Sequence, residues 1–237
     1  MLRYLRKGID MPKISVFAAI VLAIGSSAVA QTAPSPGEIA AFSPLFSAAH
    51  DGDAEEVKTA LESGGDIDER DNRNRLATHV AGFSSNEEAL AVLAEAGADM
   101  NALDYQLYDV VTIAAVANDP DMVRTAIKLG NRPDLITSVY DGTALIAAAH
   151  LGHHEVVAIL IEAGAPLDHI NNLGWTALIE AVVLGDGGSA HVRTAQHLVK
   201  AGADQSIADR NGVAPLEHAK MRGFDQMVEV LETGQSR

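Results

Sequence analysis

Nine histidines and 32 acidic residues are the side chains of this 237-residue chain that could hold a metal or move a proton. Their spacing argues against both. The densest group, His153-His154-Glu155, lacks the two histidines four apart with a glutamate between them that would put two zinc ligands and a base on one helix face. Asp66, Asp68 and Asn72 begin like a calcium loop, but Arg70 interrupts the ligand series and Ala77 stands where a bidentate glutamate belongs. No serine has the Gly-x-Ser-x-Gly setting of an activated nucleophile, and no glycine-rich phosphate loop occurs. The absence of cysteine excludes disulfides, thiolate nucleophiles and cysteine-held zinc. No catalytic residue, metal or cofactor is therefore expected. A histidine-based metal-dependent enzyme and a purely structural module are the alternatives to a binding role.

The elements that carry these residues repeat. The stretch Tyr140 to Asn171, YDGTALIAAAHLGHHEVVAILIEAGAPLDHIN, reads as two short helices and a turn. Thr143 to Leu151 is apolar at nearly every position. Gly152 breaks it, and Glu155 to Ala163 then places Val156, Val157, Leu160 and Ile161 at helical spacing. Gly164 ends that second helix with the residue best able to take a left-handed backbone conformation. The equivalent glycines are Gly64, Gly97, Gly130, Gly164 and Gly202, separated by 33, 33, 34 and 38 residues. A period near 33 residues, built of two helices and a hairpin, makes the chain one array in which each unit touches its neighbours, rather than a pair of ordinary domains.

In this period and in its motifs the chain resembles the ankyrin-repeat family. The family's T-P-L-H, G-H-x-E-V-V and G-A-D-x-N elements are readable as Thr143-Ala144-Leu145-Ile146, Gly152-His153-His154-Glu155-Val156-Val157 and Gly97-Ala98-Asp99-Met100-Asn101. The resemblance implies an all-α solenoid of about six helix-turn-helix repeats with short hairpin loops. The approximate boundaries are 43–71, 72–102, 103–138, 139–171, 172–209 and 210–234, with a tail at 235–237. It also gives His153-His154-Glu155 a structural role, since it falls where the family writes G-H-x-E. His79 takes the position at which the family's histidine bonds the neighbouring hairpin. His50 and His150 fill one slot in repeats one and four, about 30 Å apart at about 10 Å per layer, too far to share an ion.

Repeats two and three depart from the pattern. Leu76 replaces the threonine and Ser85-Asn86 the Gly-His pair in repeat two, and Asp109-Val110-Val111-Thr112 stands for T-P-L-H in repeat three. Lost capping bonds predict that these two units open first. Asp119 and Pro120 nevertheless mark a good helix start. Repeat five carries an insertion, Asp186-Gly187-Gly188-Ser189-Ala190, expected as a flexible polar loop beside the working face. Repeat six is expected to close the core and face water, with Arg222 among its polar surface residues.

Residues 1–30 read as a secretory signal. Arg3, Arg6, Lys7 and Lys13 supply the basic region, Ile14 to Gly25 the apolar core and Ala28-Val29-Ala30 the cleavage site, whether translation starts at Met1 or Met11. Export to a periplasm follows as an expectation, without stable membrane insertion after cleavage. Residues 31–42, with Pro34 and Pro36, read as a flexible lead-in. Removing the signal changes the net charge from −15 to −18. So acidic a surface repels nucleic acid and favours a protein partner with a basic patch.

In proteins that resemble this one, ligands are held on the concave face by hairpin tips and by the exposed end of each first helix. The tip positions here are Arg73 and Arg75, then Tyr105, Gln106 and Tyr108, then Tyr140, then Asn172 and Trp175. Every Tyr or Trp outside the signal lies in them, and such residues dominate interface hot spots. The helix-end positions are Phe83, Val116, His150, Val183 and Met221. The expected function is a monomeric module binding a protein partner through repeats two to five. The resemblance to small exported bacterial ankyrin proteins suggests an immunity protein or a helper of a periplasmic enzyme.

Overall fold

The computed structural model describes residues 31–234; the signal reading of 1–30 and the tail at 235–237 lie outside the described residues. Among these residues there are thirteen helices and no strand longer than an isolated bridge between Thr137 and Gly142. A four-residue helix, α1 (Pro36–Ile39), precedes six pairs. The pairs are α2 (Pro44–Asp51) and α3 (Ala54–Glu62), α4 (Ala77–Phe83) and α5 (Glu87–Glu95), α6 (Val110–Ala117) and α7 (Pro120–Lys128), α8 (Ala144–Leu151) and α9 (His154–Glu162), α10 (Ala177–Val183) and α11 (Ser189–Ala201), and α12 (Pro215–Arg222) and α13 (Asp225–Gly234). First helices stack on first helices and second on second, in chain order.

Side-chain size explains the stacking. First helices carry alanine where they meet, at Ala48, Ala81, Ala114, Ala148, Ala181 and Ala219, all buried. Small residues let the backbones approach: a Cβ added to Gly82 would come within 3.0 Å of Val110 in the next repeat. Second helices fill the layer behind with Val57, Leu90, Leu93, Met122, Val157, Leu160 and Leu198. Truncating one of these leucines to alanine removes roughly 2–5 kcal/mol.

Capping differs from the expectation in one of the two divergent units. In repeat three, Asp109 accepts from the Thr112 amide at 2.8 Å, and its second oxygen accepts from the Asn131 side chain at 2.8 Å. Asp119 caps α7 through the Met122 amide at 3.0 Å. Both helices of repeat three thus have a side-chain N-cap, so the capping bonds expected to be lost there are present, one of them reinforced by a bond between residues 22 apart. In repeat two neither helix has a side-chain cap in the usual sense. The ring of His79 stands in, its Nδ1 accepting from the Leu76 amide at 3.0 Å.

The insertion in repeat five is not a free loop. Asp186 to Gly188 make a tight turn, with Asp186 accepting from the Gly188 amide at 2.8 Å, and Ser189 and Ala190 join α11. That helix is therefore 13 residues long where α9 has nine. Gly187, at φ 72°, lies under the Phe224 ring, so close that a Cβ would meet it at 2.5 Å. Arg222 turns back over the same ring, 4.6 Å from its centroid, and donates to the Gly185 carbonyl at 2.9 Å and to that of Val183. Packing against repeat six, rather than solvation, decides the conformation of these residues.

Residues 31–42 carry the short helix α1. Ser35 and Glu38 cap α1 reciprocally, and Phe42 packs against the core.

Candidate functional site: the hairpin tips

Five tips share one construction. A side-chain oxygen at the head of each turn accepts from the amides two and four residues on: Asp71 from Arg73 and Arg75 (2.8 and 2.9 Å), Asp104 from Gln106 and Tyr108 (2.8 and 2.9 Å), Ser138 from Tyr140 and Gly142 (3.3 and 3.4 Å), Asn171 from Leu173 and Trp175 (3.0 and 3.0 Å) and Asp209 from Asn211 and Val213 (2.8 and 2.9 Å). Short polar side chains favour this because they fold back on their own backbone. The fourth residue of each turn has positive φ: Asn74, Leu107, Asp141, Gly174 and Gly212. Neighbouring tips are joined by peptide groups, Tyr105 N–H to Arg73 O (2.9 Å), Ser138 to Leu107 (3.0 Å) and Asn172 to Tyr140 (2.9 Å).

On this frame the expected binding residues divide. Tyr105 is 48% exposed and Asn172 is exposed, while Tyr140, Trp175, Phe83, Val116 and His150 are half-buried. Tyr108, at 9% exposure, packs inward, and burial pushes its hydroxyl above the usual tyrosine range. Arg75 and Val183, at 0% and 5%, offer no free surface. The side-chain Nδ2 of Asn172 donates to the Val139 carbonyl at 3.1 Å. His150 lies 3.2 Å from Glu180 Oε2, a buried oxygen that meets no other donor in good geometry, and Glu180 Oε1 accepts from Asn171 at 2.9 Å. Met221 is 64% exposed.

Aliphatic exposure escaped the sequence reading. Leu107, Ile136, Val139 and Ile170 are all exposed at or beside the tips of repeats three to five. Together with Tyr105 they are five of the seven large apolar side chains left exposed among the described residues. An apolar residue in a turn gives no periodic signal, so only the fold separates it from a packed one.

At repeat two the tip is charged. Glu38 Oε1 accepts from Arg73 Nε at 2.7 Å and from Arg75 Nη2 at 2.9 Å, while Asp71 Oδ2 accepts from Arg75 Nε at 2.7 Å. Arg73 also stacks on Tyr105, 5.4 Å from the ring centroid, and donates to its hydroxyl at 3.0 Å. The hydroxyl and amide of Ser35, with the two arginines, hold Glu38 down to about 2.

The histidines have structural neighbours. His79 Nε2 donates to the Ala102 and Tyr108 carbonyls at 3.0 and 3.2 Å, and burial lowers its pKa to about 4. His153 and His191 donate to the carbonyls of Ala115 (2.9 Å) and His150 (3.0 Å) in the preceding repeats. His218 pairs with buried Asp209 at 3.1 Å, His169 bonds the Asp141 carbonyl at 2.6 Å, and His154 stacks on His197. Among the described residues no group of three His, Asp or Glu side chains converges on a metal site.

Comparison with known proteins places this architecture. A family model described as ankyrin repeats (3 copies) matches residues 111–209. YahD of Escherichia coli (strain K12), named for its ankyrin repeats, is 33% identical over 186 residues, spanning 78% of this chain and 92% of that protein. The crystal structure of an ankyrin repeat domain from Acinetobacter baumannii AYE is 39% identical with a TM-score of 0.75, covering 81% of this chain and 97% of that one. That of EF0377, an ankyrin repeat protein, is 30% identical with a TM-score of 0.73, covering 80% and 96%.

Proposed function

The chain belongs to the ankyrin-repeat family, and on that premise we propose that it is an exported, non-enzymatic protein that binds a protein partner through the tips and concave face of repeats two to five. Ankyrin repeats are protein-binding scaffolds, so the question is which surface grips. The observation that carries the reading is the exposed apolar row of Tyr105, Leu107, Ile136, Val139 and Ile170. Five large exposed apolar groups, at or beside turns tied to one another by main-chain hydrogen bonds, are what a docking surface needs.

The acidic balance of the chain supports a partner with a basic patch. The basic and apolar pattern of residues 1–30 supports export to the periplasm, where the candidate roles are immunity against a toxin and assistance to a resident enzyme. The bonds made by His79, His153, His191 and His218 support a non-enzymatic reading, because they commit those rings to the scaffold.

A photo-crosslinker placed at position 105 or 170, with a control at Lys58 on α3, tests the surface in living cells. Protein adducts are expected at the two tip positions and absent at 58. Tyr105→Ala combined with Trp175→Ala is then expected to weaken the complex by several kcal/mol, the hot-spot scale, with an unchanged melting profile. Adducts at Lys58 alone would place the binding surface elsewhere.

A further inference from the structure

The segment before repeat one lies across the tips of repeats two and three. From its base at Phe42 it presents Glu38 to Arg73 and Arg75. The Thr32 amide then donates to Gln106 at 3.3 Å, the Thr32 carbonyl accepts from Arg75 at 3.4 Å, and the Gln31 side chain donates to the Thr112 carbonyl at 3.1 Å. No side chain between Gln31 and Ala41 is buried. Past Phe42 the segment's bonds to the array are thus polar contacts, with Pro34 and Ile39 half-buried beside them. Lifting it away withdraws no fully buried side chain of its own.

Its departure would leave a charge imbalance. Arg75 would keep its ion pair with Asp71, with Asp104 near enough to feel its charge, while Arg73, stacked on Tyr105, would lose its ion pair with Glu38. Guanidinium groups in a fixed fork match carboxylates in shape as well as charge. The two guanidinium groups then stand with one counter-charge fewer, on a chain of net charge −15. Long-range repulsion therefore disfavours a strongly acidic partner, while a single glutamate on a neutral or basic one fits.

We propose that Arg73 and Arg75 form a receptor for the glutamate of an extended peptide segment, and that Glu38 is its resident occupant, so that residues 31–41 must yield before a partner takes repeats two and three. The inference rests on the tip-binding reading and narrows it. The partner's segment brings one carboxylate to repeat two and apolar side chains toward Tyr105 and Leu107.

The probe is a synthetic peptide with the sequence of residues 31–42, QTAPSPGEIAAF, added to the full chain and to its Glu38→Ala and Glu38→Gln variants. The readout is NMR perturbation at the Nε–H groups of Arg73 and Arg75, which registers weak binding. The variants are expected to bind the peptide at least tenfold more tightly than the wild type, and the same peptide with glutamine for its glutamate is expected not to bind. Equal binding to wild type and variants, or equal binding of both peptides, overturns the proposal. Hydrogen exchange on the wild type reads the same question without substitution: amides of 31–41 are expected to exchange far faster than those of α4, and matching protection overturns the idea of a yielding segment. None of these measurements uses a cellular partner, so failure of the crosslinking experiment and failure of this one are separable.

Discussion

His79 couples the array to pH. Its Nδ1 accepts a backbone hydrogen bond and its Nε2–H donates to two carbonyls, so the buried ring is neutral. Burial lowers its pKa from 6.5 to about 4. The unfolded chain takes up this proton near its ordinary pKa and the folded chain only near the lowered one. The stabilisation is therefore complete above about pH 6.5 and is lost as pH falls toward about 4, amounting to roughly 3 kcal/mol. Carboxylates titrate over the same range, so the measurement is a difference: urea-unfolding free energies of wild type should fall more steeply from pH 7 to 4 than those of His79→Gln. Parallel slopes would remove the imidazole from the account. Leu107 makes a second case. Its φ of 65° costs an L-residue with a branched chain about 1–2 kcal/mol, while the equivalent turns use Asn, Asp or Gly. Leu107→Gly should raise stability by roughly 1 kcal/mol and weaken partner binding, because it relieves strain and deletes part of the exposed apolar row. Loss of both, or gain of both, would contradict that reading.

Among the elements, α6 shows how a divergent repeat stays intact. Asp109 is 1% exposed, and burial raises its pKa even though the Thr112 amide and Asn131 hold its oxygens. Asp109→Ala should cost roughly 1–3 kcal/mol, since it removes a cap and leaves the buried Asn131 amide without its acceptor. A loss confined to the few tenths typical of a surface site would mean that water takes over the bond. The same helix marks the limit of what the sequence discloses. The period, the helix pairs, the His79 bond and the αL glycines were legible because each is set by residues a few places apart or by a repeated position. The rescue of Asp109 by Asn131, the docking of Gly187 under Phe224 and the inward turn of Tyr108 were not, because they depend on which side chains meet across repeats. The turns lie where the resemblance put them, but exposure along them was not legible: Arg75 is buried against Glu38 and Tyr108 packs inward, while Leu107, Val139 and Ile170 are exposed.

Over the whole array, charge acts on how a partner arrives. The proposed partner, basic where this surface is acidic, should associate about tenfold more slowly when salt is raised from low to near-molar concentration, with a smaller change in the dissociation rate. Stopped-flow measurement at several ionic strengths checks this, and a salt-independent association rate would sever the link between net charge and recognition. The peptide-to-peptide bonds between successive tips carry a different consequence. Tyr105 with Arg73, Ser138 with Leu107 and Asn172 with Tyr140 are joined through main-chain atoms that every amino acid except proline supplies. The head residue of each turn, the one with positive φ and the tip side chains that packing buries, such as Arg75, Gln106 and Tyr108, are constrained in type. The remaining tip positions can accept mutation after mutation while the spacing of the fingers holds. A lineage of such chains is thereby free to change what it recognises without relearning how to fold.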